Sequence, residues 1–137
     1  MQQQAIQQQA TGPFDVKRTG MDTLDAGHGA AFGHVRFEKR FHGDLDANSV
    51  VEMLAAGDPQ SGSAGYVALE HVAGTLHGRR GRFMLQHSGT LDRGTSSLTV
   101  SVVPGSGSDE LQGLHGNLRI VIAADGAHSY VFDYAID

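Results

Sequence analysis

The residues of this chain whose types and spacing could do chemistry lie between Tyr66 and His87. Read as alternating strands, Tyr66, Ala68, Glu70, Val72 and Leu76 share one face, and Phe83, Leu85, His87 and Leu91 share one face of the next strand. A carboxylate and an imidazole among apolar neighbours could work as a general acid–base pair. Tyr66 could orient an oxygen of a ligand. A structural role fits the same residues, because a buried Glu or His must find partners whether or not it does chemistry. Arg82 or Arg119 is the expected counter-charge. Gln86 alternates with His87, so if the opposite face points inward, Gln86 takes its place. The candidates for ligand contact are therefore Tyr66, Glu70, His87, Gln86 and Tyr130. No catalytic residue is assigned.

Other chemistries find little support. There is no Cys, hence no disulfide, thiolate metal site or cysteine nucleophile. None of the 8 His residues stands two positions from another, the spacing that puts two ligands on one strand face. No metal and no cofactor are expected. A Gly-x-Ser-x-Gly nucleophile elbow is absent. Gly105-Ser106-Gly107 runs into Ser108-Asp109-Glu110 with no long helix after it, so it reads as a loop and not as a phosphate-binding turn. The net charge of -5, with basic residues scattered singly or in pairs, argues against nucleic acid and anionic membrane as partners. No apolar run approaches the roughly 20 residues of a membrane-spanning helix, and no signal peptide is evident, so a soluble, cytoplasmic protein is expected.

The elements that must position these residues are strands. The chain has 137 residues, enough for one domain with its own core. Its 19 glycines are spread along it, as many tight turns require. Met1 to Gln9 is Gln-rich, and residues 1–11 are expected to be a flexible tail ahead of a single domain over 12–137. Phe14 to Arg18 alternates as a first strand, and Met21 to Gly29 reads as a loop. Ala31, Gly33, Val35, Phe37, Lys39 and Phe41 form one face of a long strand; His34, Arg36, Glu38, Arg40 and His42 lie on the other, read as barrel exterior or subunit contact. Ala47 to Ala56 fits a short helix or a strand. Strands are expected at Tyr66–Leu76, Gly81–Leu91, Ser96–Val103, His115–Ala123 and Ala127–Tyr134, with one helical turn near Asp109–Leu111. Tyr130, Phe132 and Tyr134 read as core. Two copies of Leu-x-Gly-x-x-Gly, at Leu76–Gly81 and Leu111–Gly116, read as similar glycine turns. Seven or eight strands must curl or close to hide their edges, so the expected fold is all-β, an antiparallel closed barrel.

One series of segments resembles a known family. It comprises Gly12-Pro13-Phe14-Asp15-Val16-Lys17, Gly65-Tyr66-Val67-Ala68-Leu69-Glu70 and Gly81-Arg82-Phe83-Met84-Leu85-Gln86-His87-Ser88-Gly89. Val102-Val103-Pro104-Gly105-Ser106-Gly107 and Tyr130-Val131-Phe132-Asp133-Tyr134 continue it. Together they resemble the bacterial domain-of-unknown-function family 3224, which looks like the allene oxide cyclase-type barrels; dirigent proteins have a related architecture. The resemblance implies eight strands, favours the strand reading of Ala47–Ala56, and brings no established activity. Three readings of function stay open. The first is a barrel binding a small apolar or amphipathic molecule. The second is a cofactor-independent isomerase or cyclase on a lipid-like substrate. The third is a structural or interaction module acting as a homo-oligomer.

Overall fold

The computed structural model describes residues 6–137. Eight antiparallel strands follow one another around a closed barrel. They are β1 (Gln8–Gly27), β2 (Ala30–Phe41), β3 (Leu45–Asp58), β4 (Ser63–Leu76), β5 (Arg79–Asp92), β6 (Thr95–Val102), β7 (Leu114–Ile122) and β8 (His128–Ile136). Single 3-10 turns stand at Pro59–Ser61 and Asp109–Leu111. Each strand is the neighbour of the next, and β1 pairs with β8 to close the ring. Among the described residues no helix is long and apolar enough to cross a membrane.

The period-two pattern sets which side chains face inward. On β8, Tyr130, Phe132 and Tyr134 are buried. On β2, Phe41 is buried while its neighbour Arg40 pairs outside with Asp46. Ala47 to Ala56 is strand throughout, pairing with both β2 and β4. In the Leu-x-Gly-x-x-Gly echo the middle glycines, Gly78 at φ 80° and Gly113 at φ 83°, have the left-handed backbone that a side chain disfavours, so both copies are turn devices.

Two boundaries differ from the sequence reading. Residues 8–11, expected in the flexible tail, begin β1: Gln8 to Thr11 pair with Tyr134 to Val131, and Ala10 is fully buried. Backbone pairing needs no apolar pattern, and without it β8 would present an unpaired edge. Residues 1–5 of the expected tail lie outside the described residues. The expected loop Met21–Gly29 is instead largely strand, paired with β2 as far as Gly27 with Ala30. From Met21 to Phe32 every residue is exposed. This end of the β1–β2 ribbon buries neither face, so no alternation marks it.

The core fills one end of the barrel. Phe41, Leu45, Leu76, Phe83, Phe132 and Tyr134 are all nearly inaccessible there. Phe83 and Phe132 stack at 5.8 Å between centroids, and Phe41 meets Tyr130 edge-on at 5.5 Å. The Tyr130 hydroxyl donates to the His42 carbonyl at 2.7 Å and accepts the Leu45 N–H at 2.8 Å. The β2–β3 turn is thereby tied to the opposite wall.

The segment after β6 supplies what that short strand cannot. β6 pairs with β5 only from Leu85 to Asp92. The first half of β5 meets the 103–110 loop instead. Met84 N–H donates to Ser106 Oγ at 3.0 Å, Arg82 N–H to Ser108 Oγ at 3.1 Å, and Arg80 N–H to Glu110 Oε1 at 3.1 Å. The Gly-Ser-Gly-Ser run is thus a side-chain substitute for a strand edge. We expect Ser106→Ala to lower unfolding stability by about 1–3 kcal/mol, because it strands the Met84 N–H. Urea unfolding checks this, with Ser106→Thr as the variant that keeps the acceptor.

Candidate functional site

Midway along the barrel four strands place polar side chains on the inward face. Lys39 of β2 pairs with Ser49 of β3, Val51 of β3 with Glu70 of β4, and Ala68 of β4 with His87 of β5. This register brings all four polar groups together. The Glu70 side chain is fully buried. Its Oε1 lies 2.8 Å from His87 Nε2 and 3.2 Å from Lys39 Nζ, and its Oε2 accepts from Ser49 Oγ at 2.6 Å. Lys39 is 9% exposed at its side chain and its ammonium lies over the Phe14 and Phe41 rings, at 5.1 and 5.8 Å from their centroids. Burial pushes the Glu70 carboxyl up, but the hydrogen bond from His87, the Lys39 charge and the hydrogen bond from Ser49 outweigh it and hold the carboxyl below its ordinary value.

Above this cluster the lumen is hollow. A cavity of about 420 Å³ is lined by inward residues of every strand, among them Phe37, Lys39, Met53, Tyr66, His87 and Ile120. Its mouth is at the end away from the aromatic core. There inward-facing Leu98 is 42% exposed and Ile122 is 63% exposed. The ring of Tyr66 lies across Gly89 of β5, where a Cβ would come within 2.4 Å of Tyr66 Cε1. Burial raises the Tyr66 hydroxyl above its ordinary pKa.

Each residue expected at the site has a definite place. Tyr66 and His87 line the cavity, and Glu70 sits beneath His87 with both oxygens engaged. Gln86 points outward and is exposed, as the partner of Leu69 and Ser101 on the outer face. Tyr130 is inward but belongs to the filled end, its hydroxyl bound to backbone. The counter-charge is Lys39, not Arg82 or Arg119: Arg82 is exposed, and Arg119 faces Asp133 outside, 3.9 Å away. Lys39 and Ser49 escaped the sequence reading as site residues. The signal for Lys39 was present, a lone cation between Phe37 and Phe41 on an apolar face. Ser49 carried none, since a serine in a strand suits either face.

The polar face of β2 is exterior. His34 lies 3.0 Å from Asp22 and 2.7 Å from Glu52, and His42 lies 3.2 Å from Asp15. The hydrogen bond to Glu52 raises the His34 pKa above its ordinary value, partial desolvation opposes this, and Asp22 adds to the rise. Among the described residues no three His, Cys, Asp or Glu side chains gather as a metal site requires.

Removing one member of the buried cluster should cost far more than removing the pair. We expect Glu70→Gln to destabilise by about 3–5 kcal/mol, since it leaves the Lys39 ammonium without a counter-ion. Adding Lys39→Met to it should recover a good part of that loss; denaturant unfolding of the two single variants and the double variant measures the coupling. The depressed Glu70 pKa gives a sign as well. Its stabilisation is present above the ordinary carboxylate range and is lost as the pH falls through the folded-state value. We therefore expect acid unfolding of the parent to be steeper than that of the double variant, measured by circular dichroism against pH.

Comparison with known proteins agrees with this architecture. The family described as "Protein of unknown function (DUF3224)" matches residues 10–134. A crystal structure from Shewanella oneidensis MR-1, of a protein of unknown function from the same family, is 42% identical in sequence. It superposes with a TM-score of 0.86 over 96% of this chain and 99% of that one. No curated protein matches. With the family match running from β1 into β8, the chain belongs to the DUF3224 family.

Proposed function

We propose that this protein binds a small, largely apolar molecule in the lumen of its barrel. The observation that carries this is the cavity of about 420 Å³, to which every strand contributes inward side chains and which opens at one end. Small-molecule sites are typically of this size, mostly apolar, with a few fixed polar groups. Here Phe37, Val51, Met53, Leu98 and Ile120 offer apolar wall, while Tyr66, Lys39 and His87 offer polar atoms. A barrel built only for stability gains by filling its interior, as the other half of this one is filled. The resemblance to allene oxide cyclase-type barrels carries no chemistry to this chain, since one fold hosts many functions.

The test uses N-phenyl-1-naphthylamine, a neutral probe that fluoresces in apolar surroundings. We expect one probe per chain, and at least a tenfold loss of affinity in Ile120→Trp, where the added bulk occupies the cavity. Circular dichroism and thermal unfolding check that the variant is folded. Probe binding unchanged in folded Ile120→Trp would place the probe elsewhere and remove the lumen reading.

A further inference from the structure

We propose that the ligand of this lumen is a neutral hydrophobe carrying a hydroxyl group, whose O–H donates a hydrogen bond to His87 Nδ1. The proposal rests on the lumen being a binding site and adds the chemistry that the site selects.

The orientation of His87 is the first step. Glu70 Oε1 takes His87 Nε2 at 2.8 Å, and Glu70 also accepts from Lys39 and Ser49. An ionised carboxylate only accepts, so the imidazole proton on this side sits at Nε2. In the neutral ring Nδ1 is then a lone-pair acceptor. The second step is where Nδ1 looks. No described residue hydrogen-bonds to it, yet every sealed side-chain polar atom among the described residues has a partner. Nδ1 is therefore not sealed. The His87 side chain points inward and lines the cavity, so the space that Nδ1 meets is the lumen.

The third step is charge. The groups facing His87 and this cavity are Lys39 from β2, Tyr66 and Glu70 from β4, and His128 from β8. Ser49 of β3 is uncharged, and β6 and β7 contribute Leu98, Ile120 and Ile122. Lys39 and Glu70 offset one another at 3.2 Å. The Lys39 ammonium is also occupied by two aromatic rings. A carboxylate entering this lumen would set an unmatched charge against largely apolar walls, at a cost. A hydroxyl brings the donor that Nδ1 lacks and no net charge.

The test compares three probes of one shape, 2-naphthol, naphthalene and 2-naphthoate, by calorimetric titration of the full chain at neutral pH. The expected order is 2-naphthol tightest, by about tenfold over naphthalene, the worth of one hydrogen bond made to an acceptor with no partner in the protein. Naphthoate should be weakest. Equal affinities for naphthol and naphthalene, or naphthoate binding tightest, would overturn the hydroxyl assignment and leave the lumen a binding site. If none of the three binds, the lumen reading fails and this inference with it. The residue is tested by folded His87→Phe, in which naphthol should fall to the affinity of naphthalene; a retained advantage overturns the role of Nδ1. Should that variant not fold, the His87 ring nitrogens of the parent, followed by 15N NMR, give the same answer: Nδ1 shifts on adding 2-naphthol but not naphthalene, and an unmoved Nδ1 overturns the proposal.

Discussion

A carboxylate with no exposed surface is the constraint on which the rest of this barrel depends. Glu70 can be ionised in the interior only because Lys39, Ser49 and His87 reach it from three other strands. That requirement fixes the relative register of β2, β3, β4 and β5. A one-residue slip of β4 would turn Glu70 to solvent and bring Leu69 or His71 into its place, leaving Lys39 buried and unmatched. Apolar burial alone discriminates weakly between such slips, because Val67 and Leu69 on the outer face are as apolar as their inward neighbours. The polar cluster supplies a penalty that hydrophobic pattern does not.

The cluster also divides the interior. On one side large aromatic and aliphatic side chains meet across the barrel and leave it full, with the Tyr130 and Tyr134 hydroxyls satisfied at its floor. On the other side the inward residues, Phe37, Val51, Met53, Tyr66 and Ile120 among them, line a cavity. His87 belongs to both halves: one nitrogen completes the buried cluster, and the rest of its ring forms part of the cavity wall.

The ring is closed by unequal seams. β1 meets β8 along seven paired positions, whereas β6 and β7 share the single pair Ser101 with Asn117. The loop between β6 and β7 compensates by turning its serines and Glu110 onto β5, and by setting Leu111 into the filled end, where it is 1% exposed. A loop rich in glycine and serine is therefore part of the wall here. Its composition alone gave no hint of that, since the same residues suit any solvated turn.

The sequence by itself determined the strands, their inward faces and the family. Alternation at Phe83, Leu85 and His87, and at Tyr66, Ala68 and Glu70, is local information, and side chains on a strand have no choice but to alternate. Where no face is buried, as from Met21 to Phe32, or where pairing is purely backbone, as from Gln8 to Thr11, that signal vanishes and leaves no mark of the strand's boundary. Tertiary structure alone decided which residues meet. Lys39 and Glu70 are separated by 31 positions, and although its apolar face marks Lys39 as inward, nothing local says which inward residue of another strand it meets. It also decided that Tyr130 braces a turn while Tyr66 faces a cavity, because both are inward aromatics and differ only in which end of the barrel they occupy. Register across four strands, a long-range property, is what turned a list of inward polar residues into one site.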